Sequence, residues 1–287
     1  MSAAPKKSAP ATSPAPGVRW SGMTHTGRFR PNNEDVFLAL EFDEREVRFL
    51  GKTGEASLAH ADFIFAVSDG MGGAKSGEFA SRFAIDRITR LLPRQFRHLA
   101  GAHEATEILA KLFAAIHADM LKLGFSYEEC AGMGATLSLA WLTPAWLHFA
   151  HLGDSRIYRL PRDGGCTQLT DDHTHVGWLR RRGMLNEREA RTHPRRNALQ
   201  QALGAGNQFA EPHLGSVAHA PVDRFLLCSD GVIDGLWNRH LDELIRTPPP
   251  ARAGQPAAQR LVEEAVAESG RDNATAVVVE ILSPSAS

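Results

Sequence analysis

The sequence predicts an α+β sandwich, on three observations. Two apolar runs, over residues 63–67 and 225–228, are rich in aromatic and aliphatic residues without polar alternation, as strands buried on both faces are. Strand-like segments cluster, and helical segments fall in pairs between the clusters rather than alternating with single strands. Both apolar runs end in Ser-Asp-Gly, at Ser68-Asp69-Gly70 and Ser229-Asp230-Gly231, which puts two acids at the rim of one core. Buried like charges are costly unless paired or bound to a metal, so a cation is the simplest way to stabilise them.

Residues 1–16, rich in Ala, Pro and Ser, cannot bury enough surface to order and are expected to form a disordered tail. A mostly polar strand over 18–26 leads to the charged loop Gly27-Arg28-Phe29-Arg30-Pro31-Asn32-Asn33-Glu34-Asp35, and 36–40 return as an apolar strand. Residues 41–61 read as a hairpin excursion with one strand over 47–50. Phe79, Phe83, Ile85, Ile88, Leu91 and Leu92 recur at helical spacing over 77–96, with Pro93 near the end. Ile108, Leu109, Leu112, Phe113, Ile116, Met120 and Leu121 mark a second helix over 104–123. Strands over 136–142, 146–151, 156–160 and 166–169 are separated by Thr143-Pro144, Gly153-Asp154 and Asp163-Gly164-Gly165, all turn signals. Short helices over 173–183 and 186–192, stopped by Pro194, precede strands over 217–219 and 224–228. Helices over 237–245 and 256–269 and a strand over 274–282 close the chain. Because the candidate acids lie in both halves, one domain is expected over 17–282, followed by a short tail, 283–287.

Composition narrows the partners. The 43% hydrophobic and 23% charged residues are ordinary for a globular protein. A net charge of −1 gives no general pull toward nucleic acid or an anionic membrane. Cys130, Cys166 and Cys228 are odd in number and form no C-x-x-C pair, which argues against a disulfide framework and suits a reducing cytoplasm. No apolar run approaches the roughly 18 residues that span a bilayer. A soluble, cytoplasmic monomer with no nucleic-acid or membrane partner is expected.

Besides Asp69 and Asp230, three acids stand where a strand stops or a turn begins: Asp35, Asp154 in Gly153-Asp154-Ser155-Arg156, and Asp272 in Arg271-Asp272-Asn273. Singly, such residues are turn formers or caps. As a set of hard oxygen donors without Cys or His, they suit Mg2+ or Mn2+ rather than Zn2+ or Cu2+.

The order Arg30-x-x-Asn33-Glu34-Asp35, Asp69-Gly70-Met71-Gly72-Gly73, Gly132-x-Gly134-Ala135-Thr136, Gly153-Asp154-Ser155-Arg156, Asp230-Gly231 and Arg271-Asp272-Asn273 resembles the metal-dependent type 2C serine/threonine protein phosphatases, in their bacterial branch. The resemblance runs from about Gly17 to Ile281. It implies a four-layer αββα sandwich, two packed sheets flanked by helix pairs, with two metal ions in a cleft at one end. It further implies that Asp35 and Asp69 hold the first ion and that Asp69 bridges to the second. The Gly70 carbonyl, Asp230 and Asp272 would complete the second site, Glu34 would hold a water, and Asp154 with Asp230 would bind a third ion.

The implied activity is hydrolysis of phosphoserine or phosphothreonine on proteins by a hydroxide bridging Mn2+ or Mg2+, opposing a cognate serine/threonine kinase. Arg30 would grip the phosphate with a planar, two-pronged guanidinium. A cysteine nucleophile would need Arg six residues on, and Cys130, Cys166 and Cys228 have Thr136, Asp172 and Asp234 there. Many animal relatives have His after the Asp-Gly pair; here Met71 stands there, so the general acid is unassigned, and His173 is read as structural. The basic segment that includes Arg181 and Arg182 resembles a mobile flap that would steer acidic, phosphorylated substrates. The alternatives are an inactive, phosphate-sensing scaffold on the same fold and a nucleic-acid phosphodiesterase. The full set of carboxylates speaks against the first, and the lack of a basic-aromatic stripe against the second.

Overall fold

A computed structural model describes residues 15–72, 74–92 and 102–284. The chain begins with β1 (Gly17–His25), β2 (Asp35–Phe42), β3 (Val47–Phe49), β4 (Thr53–Ser57) and β5 (Asp62–Met71). Two helices follow, α1 (Ala74–Leu91) and α2 (Ala102–Ser126), then β6 (Gly134–Ala135), β7 (Leu137–Leu142), β8 (Trp146–Leu152), β9 (Arg156–Leu160) and β10 (Thr167–Gln168). Next come α3 (His175–Arg181), α4 (Glu187–Thr192), β11 (Leu203–Gly204), β12 (His213–Ala218) and β13 (Arg224–Cys228). The chain closes with α5 (Asp230–Gly235), α6 (Asn238–Arg246), α7 (Ala257–Glu268) and β14 (Ala274–Leu282).

All strand pairs are antiparallel. One sheet runs β10-β9-β13-β14-β1-β4, and the other runs β11-β6-β5-β7-β8-β12, with β2 paired to β5 and β3 to β2. Strand periodicity assigns the layers. On β5, Phe63, Phe65 and Val67 meet Val277, Val279 and Ile281 of β14 between the sheets, while Ile64 and Ala66 turn outward under α1 and α2. On β14 the alternate residues, Ala274, Ala276 and Val278, pack under α5, α6 and α7. Both central strands are therefore apolar on both faces over 63–67 and 276–279, which is why β5 reads as a continuous run in the sequence. The αββα sandwich is the fold found, and each fully buried Phe of its inner layer contributes about 1.5–3 kcal/mol.

Three local differences have physical causes. The first helix starts at Ala74 rather than Gly77, so Gly77 lies within its first turn, where it serves close approach rather than a helix start. A Cβ on it would meet Glu34 Oε2 at 2.5 Å, and one on Gly70 would meet the Gly77 carbonyl at 1.9 Å. The 41–61 excursion splits: β3 pairs with β2, but polar β4 crosses to β1 in the other sheet. Strand β12 begins at His213, four residues before the expected 217, in register with β8.

The expected N-terminal tail lies outside the described residues up to 14, and at Pro16 the carbonyl already accepts a bond from the Leu58 N–H at 3.0 Å. Residues 93–96 of the first expected helix, Gly73 and residues 285–287 of the C-terminal tail also lie outside. Among the described residues, no helix is long and apolar enough to cross a membrane.

Candidate active site

The ends of the central strands build the site. β2 starts at Asp35, and its antiparallel register sets Asp35 directly opposite Asp69 near the end of β5. β13 ends at Cys228, and the chain turns through Ser229 into α5, whose first residue is Asp230. Asp154 lies in the turn between β8 and β9, and Asp272 lies two residues before β14. Arg30, Glu34, Asp69, Gly70, Asp154, Asp230 and Asp272 line one cleft of about 350 Å3, with Met71, Thr136, Asn197 and Asn273. Asp35 sits behind Asp69, buried.

Neighbours that the sequence did not single out fix these groups. Ser229 Oγ donates to Asp35 Oδ2 at 2.7 Å and accepts the Thr275 N–H at 3.0 Å. Thr136 clamps the Asp69 backbone, its Oγ1 accepting from the Asp69 N–H and its own N–H donating to the Asp69 carbonyl. Asn273 Oδ1 accepts the Glu34 N–H at 2.7 Å, and its Nδ2 donates to the carbonyls of Thr26 and Asn32, tying the Arg30 loop to the end of β14. All three stand in or beside quoted motifs, and that adjacency was their only signal.

Concentrated carboxylates in a half-buried cleft resist ionisation. Burial pushes Asp35 up to about 6 despite the Ser229 bond. Burial and then the charge of Asp35 hold Asp69 well above the usual carboxylate range. Burial and then Asp172 raise Asp154 to about 7, and burial with Asp154 and Asp272 raises Asp230 well above its ordinary value. Among the described residues, buried Asp35 Oδ1 and Asp230 Oδ1 find no hydrogen-bond donor.

A set of hard oxygens that are crowded, protonation-prone and partly orphaned fits divalent cations of the Mg2+ or Mn2+ kind. Among the described residues, no three His, Cys, Asp or Glu side chains close into a ready cage, and Asp272 is held by Arg30, Nη2 to Oδ2 at 2.6 Å. Ions that keep several waters and take one or two carboxylates each need no such cage, so a row of acids along a cleft suffices.

A family profile, Protein phosphatase 2C, matches residues 53–265. The chain belongs to the protein phosphatase 2C family. It is 34% identical over 251 residues to the serine/threonine protein phosphatase PstP of Mycobacterium tuberculosis, covering 86% of this chain and 46% of that protein. The chain thus spans about half the length of that relative. It is 30% identical over 260 residues to the serine/threonine phosphatase stp of Listeria innocua, covering 90% of this chain and 93% of that protein. The solved catalytic domain of PstP in complex with two manganese ions superposes with a TM-score of 0.70 at 29% identity, covering 93% of this chain and 100% of that one.

In this protein phosphatase 2C chain, His173 is committed to structure. Its Nδ1 accepts the Gly153 N–H at 3.1 Å, and its own N–H donates to the Gly153 carbonyl at 2.7 Å. His151 stacks on it at 5.2 Å and donates from Nε2 to the same carbonyl at 3.1 Å. Burial lowers both rings, to about 4 and about 3, so they stay neutral and hold the turn that presents Asp154. Gly153 adopts a φ of 115° there, and a Cβ would meet Thr136 at 2.6 Å.

The basic segment lies differently from the expectation. Arg181 donates to the Asp172 carbonyl at 2.9 Å, with Asp171 at 3.8 Å, and Arg182 lies over the Trp178 ring at 5.2 Å. Neither lines the cleft. Arg180 and Arg196 instead line a smaller cavity of about 70 Å3 that shares Asp154 and Asp230 with it.

Raised carboxyl values carry a stability consequence. A carboxyl whose folded value exceeds its unfolded one contributes stability at low pH, which is lost as pH rises through the folded value. The buried histidines act oppositely, but only below 6.5, their ordinary value. In EDTA the melting temperature is therefore expected to fall from pH 6.5 to about pH 8, and saturating Mn2+ should abolish the fall. Thermal unfolding at the two pH values checks this; a melting temperature that rises or stays level in EDTA would contradict it.

Proposed function

We propose that this chain hydrolyses phosphoserine and phosphothreonine esters on proteins, and that its substrates are made by a cognate serine/threonine kinase. The observation that carries the proposal is the convergence of acids from five separate segments on one cleft, with orphaned carboxylate oxygens, in a chain of this family. Asp35 and Asp69 would hold one divalent ion, and Asp69, the Gly70 carbonyl, Asp230 and Asp272 the other; Glu34 would anchor a water, and Asp154 with Asp230 a third ion. The manganese complex of PstP supports Mn2+ as the natural choice, with Mg2+ of the same donor class. When bound, such ions supply a water acidified toward neutrality and neutralise phosphoryl charge.

The chain's own residues provide orientation. Ser229 holds the Asp35 carboxylate against rotation, and Thr136 fixes the backbone from which the Asp69 carboxylate projects. Arg30 sits at the cleft, its guanidinium half-exposed and paired with Asp272. An incoming phosphate dianion offers it two oxygens in a matching plane, a stronger partner than one carboxylate oxygen. Met71 lines the cleft but has no proton to give, and His173 supports the turn that carries Asp154 without lining the cleft itself, so neither is placed to protonate the leaving alkoxide.

The test is phosphate release from an aryl phosphate and from a phosphothreonine peptide. Turnover is expected with Mn2+, lost in EDTA and restored by excess Mn2+. Phosphopeptide binding with no Mn2+-dependent release would favour the inactive scaffold instead.

A further inference from the structure

Residues 173–200 leave the body of the protein and return to it across a narrow neck. Thr174 and Leu199 form an isolated bridge, and the Gln200 N–H donates to the His173 carbonyl at 2.8 Å. Beyond the neck, α3 and α4 cap themselves locally, Thr174 onto the Gly177 N–H and Asn186 through a reciprocal box with Glu189. Local caps do not fix where the pair stands. Among the described residues, every hydrogen bond from α4 to the body comes from Arg191.

That side chain is placed with unusual economy. Arg191 Nη1 donates to the Ile233 carbonyl at 2.6 Å, and Nη2 donates to the Leu236 carbonyl at 2.7 Å. Both acceptors lie at the C-terminal end of α5, where carbonyls lack helical partners and carry partial negative charge. The guanidinium also lies over the Trp237 ring, 4.1 Å from its centroid, and Glu187 one turn back stands 3.4 Å away. α5 starts at Asp230, and Asp234 one turn on lines the same small cavity as Arg191, Arg180 and Asp154.

We propose that Arg191 is a positioning residue that latches the 173–200 excursion onto α5 and thereby sets how far the excursion stands from the cleft. Its planar fork satisfies two carbonyls and an aromatic face at once, which a lysine ammonium does only in part. The excursion's height over the cleft matters for a protein substrate, whose flanking residues must pass it, and far less for a small aryl phosphate. This consequence rests on the phosphatase assignment; the latch itself does not.

Hydrogen exchange on the full chain separates the two. In Arg191→Met, amide exchange over 175–192 is expected to speed up at least about tenfold while the sheet amides stay protected. Arg191→Lys should recover part of that protection, and Trp237→Leu, which keeps the arginine, should show a smaller loss in the same segment. With phosphatase activity present, the ratio of kcat/KM for a phosphothreonine peptide to that for an aryl phosphate should fall at least about fivefold in Arg191→Met, through KM. Unchanged exchange over 175–192 would overturn the latch, as would a loss of protection spread evenly over the sheets. Faster local exchange with equal losses on both substrates would overturn its role in substrate access.

Discussion

Asp69→Asn is expected to lower kcat on an aryl phosphate at least about a hundredfold while making the metal-free protein more stable. The two effects have one cause. Asp69 faces Asp35 across the β2–β5 ladder and feels Asp230, Asp154 and Asp272, and these charges together with burial disfavour its ionised form. Removing its charge relieves that repulsion, so the melting temperature in EDTA should rise and the fall between pH 6.5 and about pH 8 should flatten. The same change removes the group best placed to be shared by two ions, so stabilisation by Mn2+ should shrink at the same time. Thr136 keeps its two bonds to the Asp69 backbone in the variant, so a folding defect is not the expected cause of inactivity. Asp272→Asn should lose activity similarly but with a smaller gain in EDTA, since Arg30 already pairs with that carboxylate. Turnover of Asp69→Asn within about tenfold of the parent would exclude the metal mechanism.

The site was legible where chemistry is written in one residue type and obscure where it is written in geometry. Asp35, Asp69, Asp154, Asp230 and Asp272 each stand at a strand end or turn, and strand ends of one sandwich share a rim, so their convergence follows from topology. Ser229 and Asn273 are as necessary to the arrangement, yet Ser and Asn occur in most turns and carry no signal until their partners are seen. Similar reasoning applies to the fold. β5 and β13 are buried on both faces and announce themselves by continuous apolar runs, whereas β4 carries only Ala56 toward the core and forms along the free edge of β1. α5 was hidden because six residues that open on a functional Asp-Gly pair show no helical period. In the basic segment, charge density was visible but direction was not. A short helix spreads Arg180, Arg181 and Arg182 over different faces, and only Arg180 lines a cavity beside the acids.

Asp172→Ala is expected to be the most destabilising single change near the site. Arg156 and Asp172 form a nearly buried pair, 13% and 10% exposed, joined twice, Nε to Oδ1 at 2.8 Å and Nη2 to Oδ2 at 2.6 Å. Two further bonds extend the pair, Arg156 Nη1 donating to the Tyr158 hydroxyl at 2.9 Å and Gln168 Nε2 donating to Asp172 Oδ1 at 2.7 Å. Truncating the carboxylate leaves a nearly buried guanidinium without its two-pronged partner and with Asp154 as the acid beside it, which costs about 3–5 kcal/mol. At about 2–4 °C per kcal/mol for a chain of this size, the melting temperature should drop by about 10 °C. The pair itself need not be strongly stabilising, because desolvation offsets much of its attraction. The triple variant Arg156→Met, Tyr158→Phe and Asp172→Leu, which removes every polar group of the network except Gln168, should therefore recover most of the loss. If the triple variant is as unstable as Asp172→Ala, the cost lies in packing rather than in the stranded charge. If Asp172→Ala melts within about 2 °C of the parent, water reaches Arg156 and the pair is not the buried element its exposure indicates.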